Sequence, residues 1–303
     1  MPDAGAGIPP GLLDEVGLRY EIAVEVESRL EGGYESDVLA LASNAGGLVL
    51  RVCPAWRTVE ELAWAYDLAA YAAAAIPEAV TPLAARDGSR VFAFEGRPVA
   101  VFPRVAGRHL DRDDADERDQ AARLLARLHR VLPAWPAARP RPRNAHHAAL
   151  FAARDAIVEP DDAALDRFLG ARARDPRVRR VPLHGDFYRG NLLVGEGRLV
   201  GLIDWDDSRV GSLESELAWT TWEFAQAPDG DGLDAARAER FLATYAASGG
   251  PAATDPSLLV PLIRAKLRRE VREAARARAA GEIVDEGYVA RARRGFSVLG
   301  GRA

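Results

Sequence analysis

The chain has 303 residues, of which 48% are hydrophobic, 28% charged and 7% aromatic, and a formal net charge of −5. That length suits two lobes or domains, and the composition excludes disorder, collagen-like repeats and disulfide scaffolds. The acidic balance argues against general nucleic-acid affinity, the single cysteine (Cys53) leaves no intrachain disulfide or thiolate metal cluster, and no apolar run is long enough for a membrane span, so the chain is expected in the cytoplasm.

In chain order, Val24–Glu27 and Asp37–Ala42 alternate in the manner of strands and flank a turn containing Gly32, Gly33 and Ser36, which predicts a hairpin. A third strand, Leu48–Val52, ends at Pro54. Thr58 with Glu61 three residues later forms a capping-box pattern, and a helical apolar period follows to about Ile76, where Pro77 stops it. Two more strands, near Arg90–Glu95 and Arg97–Phe102, complete a small sheet carrying one helix. Beyond Pro103 the pattern turns helical. An amphipathic helix is expected from about Asp113 to Leu132, then a Pro/Arg-rich loop from Pro133 to Arg143 and a helix around Asp161–Arg174. Short strands at Val181–Leu183 and Leu199–Ile203 have Asn191–Val194 between them, and helices near Glu214–Ala227, Leu233–Ala247, Pro256–Ala279 and Asp285–Val298 close the chain.

The residues with chemistry lie between His184 and Asp204. The sequence His184-Gly185-Asp186, then Asn191 five residues after Asp186, then Asp204 at the end of an apolar strand, brings two carboxylates and an amide to one end of a hairpin. These are hard oxygen donors of the kind Mg²⁺ takes together with water and phosphate, which suggests metal-assisted phosphoryl transfer. The pattern His-Gly-Asp-x-x-x-x-Asn followed by Ile203-Asp204-Trp205 resembles the aminoglycoside phosphotransferase family, which shares the protein-kinase-like fold with small-molecule kinases acting on choline, homoserine and related alcohols. Leu125-Ala126-Arg127-Leu128-His129 and Glu216-Leu217-Ala218 match further segments of that family, and the similarity covers roughly Leu30 to Ala218.

The resemblance implies a bilobal α+β fold: a nucleotide-binding lobe over residues 1–101, a hinge at 102–107, and a mostly helical catalytic lobe over 108–303. It implies ATP and Mg²⁺ as cofactors and a small-molecule alcohol as acceptor, with no nucleic-acid or membrane partner and a monomer or homodimer as the assembly. Asp186 is then the catalytic base, Asn191 and Asp204 hold the metal, and His184 and Glu216 support the loop. Gly32, Gly33 and Ser36 cover the phosphates, Arg51 reaches them from the third strand, and Phe102 to Val105 provide the hinge against adenine. Two departures stand out. Arg51 replaces the usual lysine, and the glutamate expected to pair with it on the following helix falls at Ala65. Glu61, one turn earlier, is the favoured substitute, with Glu60 and Asp67 as alternatives. Asp206, Asp207, Tyr188 and Glu223 are candidate acceptor contacts, a lining that suits a cationic antibiotic or an amino alcohol, and a sugar is a further option. A nucleotide-binding pseudokinase is the competing reading. A metallohydrolase built on His184, Asp186 and Asp204 lacks the several imidazoles that a catalytic zinc site uses.

Overall fold

The structure is a computed structural model that describes residues 8–30, 36–136, 140–142, 162–227, 230, 232–279, 281 and 284–301. Strands β1 (Val24–Arg29), β2 (Asp37–Ser43), β3 (Leu48–Val52), β4 (Phe92–Phe94) and β5 (Arg97–Pro103) form one antiparallel sheet in the order β1-β2-β3-β5-β4. Alternation along the strands sorts its two faces. Leu48, Leu50 and Val52 of β3, with Val99 and Val101 of β5, lie in one core, so Arg51 emerges on the other side.

That first core is closed by α1 (Leu12–Tyr20) through fully buried Leu12 and Val16. Among the described residues the small lobe therefore carries two helices, not the single one expected. The pattern of α1 is faint in sequence because it buries one i,i+4 pair, contains Gly17, and starts at Gly11, whose φ of 78° leaves no side chain to cap the helix. The predicted helix, α2 (Val59–Ala73), begins as its capping box requires, with Thr58 Oγ1 accepting from the Glu61 amide at 3.1 Å.

Past Pro103, β6 (Arg108–His109) and α3 (Ala115–Val131) lead toward α4 (Ala163–Arg174) and β7 (Val181–Leu183). Then come β8 (Leu192–Gly195), β9 (Arg198–Leu202), β10 (Arg209–Gly211), α5 (Leu213–Phe224), α6 (Ala235–Ala247), α7 (Pro256–Ala279) and α8 (Glu286–Val298). β6-β8-β9 form one small antiparallel sheet and β7-β10 another. β6 and β10 were not foreseen, being too short to show a period. No helix among the described residues is long and apolar enough to cross a membrane.

The second core crosses the lobe junction. Leu62 and Leu68 of α2, Ala100 of β5, Leu124 and Leu125 of α3, Leu217 of α5, Leu267 of α7 and Phe296 of α8 belong to one buried cluster. The chain after α2 also pairs with β9: Leu202 donates its amide to Glu78 O at 2.6 Å and accepts from Val80 N at 2.9 Å. The strand that leads to Asp204 is thereby fixed from the small lobe as well as from its own sheet.

Candidate active site

The loop after β7 is shaped by its backbone contacts. Gly185 sits at φ 92°, and any Cβ there would run into the carbonyl of Asp207, so only glycine lets the two loops approach. Glu216 at the start of α5 is buried and accepts from the Gly185 amide at 2.6 Å through Oε1. Its Oε2 lies 3.0 Å from Nε2 of buried His129, whose Nδ1 lies 2.8 Å from the Tyr245 hydroxyl, which accepts from the Ala252 amide at 3.0 Å. Burial alone would raise the Glu216 pKa, but His129 and the Gly185 amide hold it below the usual carboxylate range. His184, fully buried, spans from Ile203 O (Nε2, 3.1 Å) to the Asp186 amide (Nδ1, 3.3 Å). Accepting at Nδ1 and donating at Nε2 makes it a neutral ring, and burial lowers its pKa accordingly.

One turn of 3-10 helix, Arg189–Asn191, then returns Asn191 to Asp186. Asn191 Nδ2 donates to Asp186 O at 2.9 Å and to Asp186 Oδ2 at 3.0 Å. The Ile203 amide donates to Asn191 O at 2.9 Å, which brings the end of β9 alongside. Asp204 follows at φ 60°, a left-handed conformation that costs a non-glycine residue on the order of 1 kcal/mol. The Asp186 carboxyl is pushed up to about 7, first by burial and then by the charges of Asp207 and Asp204, against Lys266 and Arg209. The Arg209 guanidinium donates to Gly185 O on the same loop. Asp186, Asn191 and Asp204 are thus gathered as the motif predicts.

These groups suit a hard divalent cation carried by phosphates. The amide nitrogen of Asn191 is engaged with Asp186, which leaves Oδ1 as an acceptor, and the Asp204 side chain is 37% exposed. Among the described residues no group of three or more His, Cys, Asp or Glu side chains is arranged to hold a metal by itself.

Arg51 points into this site from β3. Its Nη1 lies 2.8 Å from Asp204 Oδ1, its Nη2 3.1 Å from Asp206 Oδ2, and its Nε donates to Ser36 Oγ at 3.3 Å. The pairing expected between Arg51 and Glu61 is therefore replaced. Glu61 is fully buried one turn below, with Arg57 Nη1 at 3.5 Å and Arg141 Nη2 at 2.9 Å. Asp206, expected to face the acceptor, is instead 2% exposed and accepts from the Tyr66 hydroxyl at 2.9 Å, with Cys53 Sγ at 3.8 Å. The reason is tertiary: the Tyr66 hydroxyl and the Arg51 guanidinium draw Asp206 into the small lobe. Asp207 is half exposed and pairs with Arg57 Nη2 at 2.9 Å.

The Phe102 ring meets Tyr66 edge-on at 5.5 Å, and Val105 is half-buried just beyond β5. Tyr188 is half-buried with its ring against Gly190. Glu223 is half-buried on α5, its carboxyl raised to about 7 by burial and by the charge of Asp186. Gly32 and Gly33 lie outside the described residues. Sequence reasoning missed Arg57, Arg209 and Lys266. Lys266 lies 4.9 Å over the ring of Trp219 and pairs with Glu270, and its standing as the only lysine in an arginine-rich chain was the one available signal.

Residues 27–256 match the model of a phosphotransferase enzyme family. The chain belongs to that family. It is 33% identical to homoserine kinase of Pseudomonas aeruginosa over 170 residues, 54% of either chain, so it spans about half the length of the curated relatives it matches. The same protein-kinase-like fold recurs in a microcompartment-associated aminopropanol kinase, with a TM-score of 0.69, 18% identity and 95% of both chains covered. An amicoumacin kinase solved with AMP-PNP and Ca²⁺ shares it with a TM-score of 0.67 and 15% identity, over 95% of this chain and 92% of that one.

Proposed function

We propose that this chain is a cytoplasmic kinase that transfers the terminal phosphoryl group of ATP, as its Mg²⁺ complex, to a hydroxyl of a small molecule. The observation that carries the reading is Asp186 held by Asn191 beside Asp204, three oxygen-bearing groups at one loop and strand end. Asp186 aligns the acceptor hydroxyl and takes its proton as the O–P bond forms, and a carboxyl near 7 is matched to that task. Asn191 and Asp204 would hold the Mg²⁺, which would offset the charge of the transferring phosphoryl group. Arg51 grips the phosphates, with the Ser36 hydroxyl beside it, and the main chain from Phe102 to Val105 borders adenine. Glu216 and His184 keep the loop in register, so the protein contributes mainly position and electrostatics.

The acceptor side is acidic. Glu223 lies close enough to Asp186 to sense its charge, while Trp219 is buried in the core and, with Glu270, already partners Lys266. That lining favours an alcohol that also carries an ammonium group, an amino alcohol or a cationic antibiotic, over a neutral sugar. The names of homoserine kinase and aminopropanol kinase among the similar proteins point the same way. The test is ADP formation with Mg²⁺ across a panel of amino alcohols, hydroxy amino acids, cationic antibiotics and sugars, followed by mass spectrometry of the product. Turnover with an ammonium-bearing alcohol is expected. Tight ATP binding with no turnover on any acceptor would replace the kinase by a nucleotide-binding sensor.

A further inference from the structure

A kinase-like nucleotide site needs a carboxylate to hold the cation that grips the phosphates. Helix α2 does not supply it: Ala65 is buried and uncharged, and Glu61 is engaged with Arg57 and Arg141. We propose that Asp206 is the positioning residue for Arg51, so that the phosphate-gripping cation is oriented from the large lobe rather than from helix α2. This rests on the nucleotide reading above.

The two carboxylates that Arg51 meets are not equivalent. Asp206 is 2% exposed, and its carboxylate oxygens face the Tyr66 hydroxyl, the Arg51 Nη2 group and the Cys53 thiol. Its main-chain oxygen also accepts from Arg57 Nη1 at 3.1 Å. A carboxylate buried so deeply requires its cation, and removing either partner leaves an uncompensated charge. The Asp204 side chain is 37% exposed and has a second use, on the metal. Nε lies on Ser36 and Nη2 at 3.1 Å on Asp206, whereas Asp204 takes Nη1 at 2.8 Å and only a long 3.5 Å contact from Nη2, and it is the Asp204 contacts that nucleotide chemistry would call away. On nucleotide entry Nη1 exchanges Asp204 for a phosphate oxygen, while Asp206 stays.

This ties the two departures from the kinase pattern together. A planar guanidinium offers separate edges to a fixed carboxylate and to phosphate, so each contact has a set direction, whereas lysine bridges such a pair through one compact ammonium on a shorter stem. Arginine at position 51 and alanine at position 65 are then parts of one arrangement, in which the anchor has moved from α2 to the loop after β9.

The experiment is a double-mutant cycle read by calorimetric binding of MgATP, with circular dichroism confirming the fold. Asp206→Asn preserves volume and an acceptor for Tyr66 and should weaken MgATP about tenfold, as should Arg51→Met, while the double variant binds no more weakly than Arg51→Met alone. Additive losses, or wild-type affinity in Asp206→Asn, overturn the proposal. Arg51→Lys asks the same question without touching the buried carboxylate: a loss of about tenfold is expected, and unchanged affinity overturns it. Failure of the wild-type protein to bind MgATP removes the nucleotide reading and this inference with it, whereas binding with additive losses removes the inference alone.

Discussion

Asp186 carries a charge that the fold disfavours. Its carboxyl is pushed up to about 7, by burial first and by Asp207 and Asp204 next. A base must be unprotonated, so kcat/KM for ATP, which reports the free enzyme, should rise with pH through about 7 and level off above it. A profile flat across that range removes Asp186 as the base. Stability runs the other way. Because the folded pKa lies above the ordinary 3.8, the unfolded chain releases this proton first, and the fold loses stability as pH rises from 3.8 to about 7. Asp186→Asn should therefore abolish transfer yet melt higher than wild type at pH 8, by about 2 °C for each kcal/mol recovered, with the difference vanishing near pH 4. The grouping of Asp186, Asn191 and Asp204 was legible because all three lie within one loop and the strand after it. The placement of Asp206 was not, since whether an acid stays exposed or turns into the small lobe depends on Tyr66 and Arg51, residues more than a hundred positions away in the chain.

At the level of elements, the loop carrying Asp186 is held by a buried relay linking α5, α3 and α6: Gly185 amide, Glu216, His129, Tyr245, Ala252 amide. Both His129 and Glu216 stand out in sequence as family-like segments, but Tyr245 sits far downstream in an unmarked helix and only packing reveals it. Tyr245→Phe removes the hydroxyl that serves both His129 and the Ala252 amide. It should cost about 1–3 kcal/mol of stability, measured by urea unfolding, because two buried groups lose their partner. kcat should fall while the affinity for MgATP stays near wild type, since the relay ends on the loop carrying Asp186 rather than on the phosphate-binding strand. An unaltered kcat would confine the relay to a packing role. Helix α2 was readable from its cap, Thr58, and both α2 and α3 from their sustained apolar period. α1 was not, because a nine-residue helix with one buried pair scarcely differs from a loop.

Across the whole molecule, two arginines of the small lobe grip one segment of the large lobe. Arg51 takes Asp204 and Asp206, Arg57 takes Asp207 and the Asp206 carbonyl, and Arg141 joins Glu61 of α2 to the Ser208 carbonyl. Beneath them the apolar cluster passes without a break from α2 to α8. Thermal unfolding followed by calorimetry should accordingly show one cooperative transition, and MgATP at 100 times its Kd should move that transition up as a single peak, by about 2.7 kcal/mol of added stability. Two resolved peaks would mean that the lobes melt independently. The bilobal division was visible in the shift of composition after Pro103, but the shared interior was not, because periodicity tells which face of a helix is apolar and never which neighbour covers it. A gene cut between Pro103 and Arg108 would accordingly yield two sticky halves rather than a portable ATP-binding module, and grafting the front half onto another acceptor domain would demand rebuilding the seam side chain by side chain.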